Sequence, residues 1–315
     1  KEFSDKPILE PKENNPQVAT DNRQPTTDNH KPTTDKIDRT AKMYIGGKQS
    51  RPDGGYSIEI KDFYGNKIGE VGEGNRKDLR NAVESARGEK SWSGMTGHSR
   101  AQVLYYVAEN LSYRAEEFAE RIASQTNQSL KSAEDEVEKS IERIYYYAAI
   151  ADKYDGKAHS TVQRMTTLAM PEAVGVMAII CPNENPLLGF ISAIIPAIAM
   201  GNTVVVVPSE NSPLSATDFY QILETSDVPA GTVNIVTGNH TELGTELAKH
   251  YDVDGIWNFG NADCKTIETL AADSMKRSWC NYGKYRNWML AEQGEGEEFL
   301  RHATEIKNIW IPYGA

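Results

Sequence analysis

Short, nearly continuous apolar runs punctuate the second half of the 315-residue chain: VGVMAII (174–180), NTVVVV (202–207), TVNIVTG (232–238) and GIWNF (255–259). Between them lie segments in which apolar residues recur every three or four positions. One of these is opened by Ser212 as cap and Pro213 as first helical residue. Strands apolar on both faces, alternating with helices, predict a parallel sheet covered on both sides. Residues 174–275 therefore read as a Rossmann-like α/β unit.

Upstream the pattern is different. From Met43 onward, apolar runs separated by Gly-Gly and Tyr-Gly-Asn turns predict short antiparallel strands. Asn75 then caps a helix with Leu79, Ala82, Val83 and Ala86 on one face. Two more helices are predicted around 100–111 and 115–124. A long one carries Val137, Ile141, Ile144, Tyr145, Ala148 and Ala149 at helical spacing, and the Tyr145–Tyr147 run reads as core packing rather than a ligand box. HSTVQRMTTLAM (159–170) alternates like one strand of a protruding β-hairpin, and EIKNIWIPYG (305–314) reads as a last strand.

Residues 1–40 are rich in Pro, Thr, Asp, Asn and Lys, with PTTD starting at Pro25 and again at Pro32. Such a segment buries too little surface to offset its ordering entropy and reads as a disordered linker. It is polar from the first residue, unlike a signal peptide, and has no initiator Met, which points to a fragment or a processed piece.

Composition narrows the class. A hydrophobic content of 39% with 25% charged residues is that of an ordinary soluble protein, and a net charge of −11 argues against nucleic acid or an anionic membrane as partner. The longest apolar stretch, 186–200, is shorter than a membrane span. Three cysteines without a CxxC pair fit a reducing compartment, so a cytoplasmic location is expected. The six dispersed histidines give no sign of a zinc site, and no metal is expected.

Ligands of open α/β sheets bind at the carboxyl ends of the strands, which here carry CPNENP, PSENSP, TGNH and GNADCK. At these positions the chain resembles the aldehyde dehydrogenase superfamily. The resemblance is carried by ADKYDGK, PEAVGVMAIICP, NPLL, AIAMGNTVVVVPSENSPLSA, VPAGTVNIVTG and HATEIKNIW, in the family's order, from about Met43 to Ala315. It implies a cofactor-domain α/β fold at 41–157 and 172–290, and a β oligomerisation arm at 158–171 and 300–315. The family's catalytic domain, with its nucleophilic Cys, is missing: the chain passes from residue 290 almost at once into a segment like the family's extreme C-terminus.

The departures fall on the chemistry. Where the family has its general-base Glu, this chain has Cys280, which reads as a partly buried, inert thiol, so no residue is put forward as catalytic. The family's oxyanion Asn falls on Glu184, and Asn185 replaces it only if the loop shifts by one residue. The ribose-binding Lys is replaced by Val207, whereas Ser209 and Glu210 remain. The phosphate turn keeps Gly260, followed by Asn261, but acquires Asp263 and Lys265. Asn185, Ser209, Glu210, Gly231 of the VPAG segment, Gly260 and Asn261 are the degenerate cofactor-binding candidates. Losing two or three polar contacts at about 1–3 kcal/mol each weakens binding by about a hundredfold or more, so no cofactor is firmly expected and NAD binds weakly at best.

Together these features resemble the truncated second module of a family-16 aldehyde dehydrogenase. The implied role is non-catalytic assembly with a catalytic module of the same or a sister chain, as a dimer through the arm. Two alternatives stay open: aldehyde oxidation with Cys and Glu borrowed from another module or subunit, and a weak NAD-sensing or protein-binding module.

Overall fold

The computed structural model describes residues 40–162 and 164–312, so the linker expectation falls outside the described residues. In chain order come β1 (Met43–Ile45), β2 (Lys48–Ser50), β3 (Ser57–Lys61) and β4 (Lys67–Gly72). The helices α1 (Arg76–Gly88), α2 (Ser91–Gly94), α3 (Gly97–Tyr113), α4 (Ala115–Gln125) and α5 (Leu130–Ile150) follow. Next are β5 (Lys157–His159), β6 (Met165–Ala173), β7 (Val176–Ile180), α6 (Pro186–Ala199), β8 (Thr203–Val207), α7 (Leu214–Asp218), α8 (Tyr220–Thr225) and β9 (Val233–Ile235). The chain continues through α9 (His240–Lys249), β10 (Gly255–Asn258), α10 (Cys264–Ala272), β11 (Arg277–Cys280), α11 (Ala291–Gly294), α12 (Glu297–His302) and β12 (Thr304–Pro312).

The main sheet has the order β11-β10-β7-β8-β9-β1-β2. The strands from β11 to β9 run parallel, as the apolar runs predict, and β1 joins antiparallel to β9 through Tyr44↔Ile235. Every residue of β7 and β8 is buried because both faces are covered. Met177, Ile179, Val204 and Val206 pack toward one core with α5 and α6; Val176, Ala178, Val205 and Val207 pack toward the other, with α1 and α9. Asn75 caps α1 in a full capping box with Asp78, as the sequence indicates. Tyr147 is buried, and Tyr145 and Tyr146 pack against the core.

The start of α7 differs by one position from the expectation. Pro213, not Ser212, is the cap residue; the Leu214 amide donates to Gln125 Oε1 at 2.7 Å, while the Ser212 amide donates to Ser209 Oγ at 3.1 Å. A glutamine from α4 thus does the work expected of a serine cap.

β5, β6 and β12 form a separate antiparallel sheet in the region expected for the arm, with β12 on its edge; the single strand expected over 159–170 is split between β5, which ends at His159, and β6, which begins at Met165, and 300–302 belong to α12. From Glu305 to Pro312 every residue of β12 is exposed, including Ile306, Ile309, Trp310 and Ile311.

All fourteen residues of α6 are buried, so its terminal backbone groups have no water to bond. Glu136 of α5 supplies the N-terminal acceptor: its Oε1 takes the amides of Leu187 at 3.0 Å and Leu188 at 3.2 Å. At the other end, Asn202 Nδ2, Trp92 Nε1 and Arg100 Nε donate to the carbonyls of Ala197, Ile198 and Ala199. One helical face further along α5, the buried Arg143 donates to Ser192 Oγ of α6 at 2.6 Å, to the Trp288 carbonyl at 2.9 Å and to Glu295 at 3.2 Å.

That last set of bonds fastens segment 281–303 over the β10–β11 end of the sheet. Trp288 and Phe299 are buried against Trp257, Phe259 and Trp279 in tilted and edge-to-face pairs. The Arg286 guanidinium lies 5.3–5.8 Å from the ring centroids of Phe259, Trp279, Trp288 and Phe299. The His302 ring stacks on Trp279 at 4.1 Å.

Burial raises the Glu136 pKa above the usual carboxylate value, while the helix amides need only an accepting Oε1, which a glutamine also supplies. Glu136→Gln is therefore expected to keep most of the stability, whereas Glu136→Ala loses about 1–3 kcal/mol for each amide left bare. Urea denaturation of the two variants checks this; equal losses would contradict it.

Candidate functional site

The carboxyl ends of β7, β8, β9 and β10 converge, and each contributes a polar side chain. After β7, Asn183 Oδ1 accepts the Ser209 hydroxyl at 2.9 Å and the Glu210 amide at 3.0 Å. After β8, the Glu210 carboxylate is occupied on both oxygens. Oε1 accepts the His240 amide at 2.6 Å and Oε2 accepts Asn261 Nδ2 at 3.0 Å.

His240, at the first turn of α9, is the centre of this web and fully buried. Its Nε2 lies 2.7 Å from the Pro208 carbonyl, which only accepts, and its Nδ1 accepts the Asn261 amide at 3.2 Å. These partners require a neutral ring protonated on Nε2. Burial lowers its pKa, against the opposing pull of Pro208 and Glu210. Gly260 leaves room for the ring: a Cβ there would sit 2.3 Å from His240 Nδ1 and 2.8 Å from the Cys181 carbonyl.

Of the predicted residues, Ser209, Glu210, Gly260 and Asn261 come together, but bonded to one another through Asn183 and His240. Asn185 belongs to a different cluster. It adopts a left-handed backbone (φ 48°) and turns its amide to Glu136 Oε2 at 3.3 Å, away from the strand ends. Gly231 precedes β9 and so lies at the opposite edge of the sheet, where its left-handed φ of 94° and a close Ser85 carbonyl explain the glycine.

Asp263 caps α10, accepting the Thr266 amide at 2.8 Å and hydroxyl at 2.6 Å, and these bonds hold its carboxyl below the usual range. The helix terminus that would favour a phosphate thus already carries a negative charge. Val207 is buried in the α1/α9 core. Glu184 is exposed at the rim of a cleft of about 220 Å³ lined by Asn183, Gly260, Asn261, Arg286 and Trp288. That volume is below the ~300 Å³ at which small-molecule pockets begin. A larger pocket, about 830 Å³, lies elsewhere, flanked by Tyr56, Arg76 and Glu246 beside α1 and α9.

Cys280 ends β11 in register with Asn258 of β10. Burial, with Cys264 and Glu268 close by, pushes its thiol well above the usual value, so at neutral pH it is neither a base nor a thiolate nucleophile. Among the described residues no group of three or more His, Cys, Asp or Glu is placed to hold a metal, and no helix is long and apolar enough to cross a membrane.

The aldehyde dehydrogenase family profile matches residues 35–305. The chain belongs to the aldehyde dehydrogenase family. It is 32% identical over 223 residues to a betaine aldehyde dehydrogenase of Bacillus subtilis (strain 168), covering 69% of this chain and 46% of the relative. Against the NADP/NAD-dependent aldehyde dehydrogenase PuuC of Escherichia coli (strain K12), identity is 33% over 232 residues, covering 71% and 47%. The NAD+ complex of an aldehyde dehydrogenase from Bacillus cereus superposes with a TM-score of 0.73 at 26% identity, covering 76% of this chain and 50% of that one. The chain thus spans about half the length of the relatives it matches. Against this family background, the strand-end residues do not fit a bound dinucleotide. The retained Glu210 already accepts a protein hydrogen bond on each oxygen, Asp263 occupies the helix terminus, and the cleft is small.

Asn183 and His240 were not singled out by sequence reasoning. The available signal was the polar residues clustered in each of the four strand-end loops.

Two outcomes follow for the web. Gly260→Ala is expected to cost about 1–3 kcal/mol by overpacking against His240, measurable by urea denaturation. The stability due to neutral His240 is complete above the unfolded pKa of about 6.5 and is lost as pH falls toward the depressed folded value. Comparing unfolding free energies across pH 7.5 to 5, the wild-type slope should exceed that of His240→Gln.

Proposed function

We propose that this chain is a non-catalytic module of the aldehyde dehydrogenase family. Its role is to assemble with a catalytic module of the same or a sister chain, as a dimer through the arm. The observation that carries the reading is that the polar groups at the strand ends are paired with each other, Glu210 on both oxygens. A dinucleotide would have to compete with these bonds, at about 1–3 kcal/mol for each one broken.

Two further features support assembly rather than catalysis. Segment 281–303 packs an aromatic cap onto the sheet end, so this surface is closed by the chain itself. The arm, in contrast, leaves β12 with an open edge and exposed Ile306, Ile309 and Trp310, the kind of strand that pairs with another chain.

Calorimetric titration with NAD and NADH into the millimolar range should give no saturable heat. Saturation that Glu210→Ala abolishes would overturn the non-catalytic reading in favour of cofactor sensing or borrowed catalysis. For the arm, sedimentation of the purified chain should show a dimer that the double variant Ile309→Asp, Trp310→Lys converts to a folded monomer. A wild-type monomer at tens of micromolar would reject the arm as the contact.

A further inference from the structure

Two of the three cysteines meet at the carboxyl end of the sheet. Cys264 is the first residue of α10 and Cys280 the last of β11, the elements on either side of the β10–β11 crossover. Asn258 is the strand partner of Cys280, and its Nδ2 donates to Cys264 Sγ at 3.5 Å. The Tyr282 amide, two residues beyond Cys280, donates to the same sulfur at 3.3 Å. Cys264 is thus enclosed by the neighbours of Cys280, and both thiols are partly exposed, whereas Cys181 is buried.

We propose that Cys264 and Cys280 are a peroxide-responsive pair that closes to a reversible intrachain disulfide, fastening the first turn of α10 to the end of β11. The chemistry follows from the surroundings of each sulfur. Two N–H donors, Asn258 Nδ2 and the Tyr282 amide, converge on the Cys264 sulfur, which makes it the first nucleophile. Cys280 is held protonated by burial, by the Cys264 charge and by Glu268. It therefore serves as the resolving thiol.

In the first step the Cys264 thiolate attacks one oxygen of hydrogen peroxide. The O–O bond breaks, an S–O bond forms, and the departing hydroxide takes a proton to become water; sulfur is oxidised by two electrons and peroxide is reduced. In the second step the Cys280 sulfur attacks the sulfenic sulfur. The S–S bond forms as the S–O bond breaks, Glu268 relays the Cys280 proton to the departing hydroxide, and a second water leaves. Two thiols and one peroxide yield one disulfide and two waters.

Closure acts on a specific loop. Tyr282 and Gly283 turn the chain with left-handed φ of 52° and 67°, and the Tyr282 hydroxyl donates to Glu268 of α10. The bridge would fix this loop, which carries Lys284 and Arg286 along the rim of the cleft. This does not depend on the module being catalytic or on its binding any cofactor.

The test treats the full chain with a small excess of hydrogen peroxide, then alkylates with iodoacetamide and reads intact and peptide masses. The expected result is the loss of two alkylatable thiols, a peptide pair linking Cys264 to Cys280, and full recovery with dithiothreitol. Cys280→Ser should instead accumulate a dimedone-reactive sulfenic acid at Cys264, and Cys264→Ser should form no bridge. Two thiols that remain alkylatable, a bridge between two chains, or sulfinic acid on the wild type without a disulfide would each overturn the proposal. The wild-type readout stands even where a variant fails to fold.

Discussion

A helix buried on every side needs polar partners for its terminal amides and carbonyls that water cannot supply, and α6 is such a helix. Glu136 meets the first amides, while Trp92, Arg100 and Asn202 meet the last carbonyls. Because Glu136 and Arg143 both project from α5, that helix is positioned by the same requirement, and Arg143 then reaches across α6 to hold Trp288 and Glu295. The helical layer, the sheet it covers and the terminal cap are linked through these few buried bonds. The arrangement is sensitive because each bond lies where a missing partner is not replaced by solvent.

The strand ends follow a similar rule with a different result. In a nucleotide-binding site, polar groups face outward and wait for a ligand; here they face each other. His240 is central because both ring nitrogens, its amide and the Gly260 beside it are used in joining the loops after β8, β9 and β10. Family membership thus accounts for the scaffold. The local hydrogen bonds decide what that scaffold can still hold.

Much of the fold was legible because it rests on local pattern. The uninterrupted valines of β8 announce a doubly covered strand, the Asn75 cap announces α1, and the alternation around Thr166 and Thr167 announces the arm hairpin. The junction of β1 with the main sheet was not legible, since it depends on Tyr44 meeting Ile235 across the whole intervening chain. The site was legible in its membership but not in its bonding. Glu210, Gly260 and Asn261 were identified, yet nothing in their spacing reveals that His240 and Asn183 have already engaged them. Glu136 and Arg143, seven residues apart on the same buried face of α5, were a readable sign of buried polar links. Gly231 shows the converse: its motif neighbours are strand residues, but the direction of β9 puts it at the far edge.

Arg277, near the start of β11, donates to the carbonyls of Thr304 and Arg301, where the arm strand begins. The first residue of the main sheet's edge strand is therefore tied directly to the root of the arm strand, which belongs to a separate sheet. Seen this way, Arg277 is a rivet between the two sheets, and a load on the arm strand is passed straight to the edge of the main sheet.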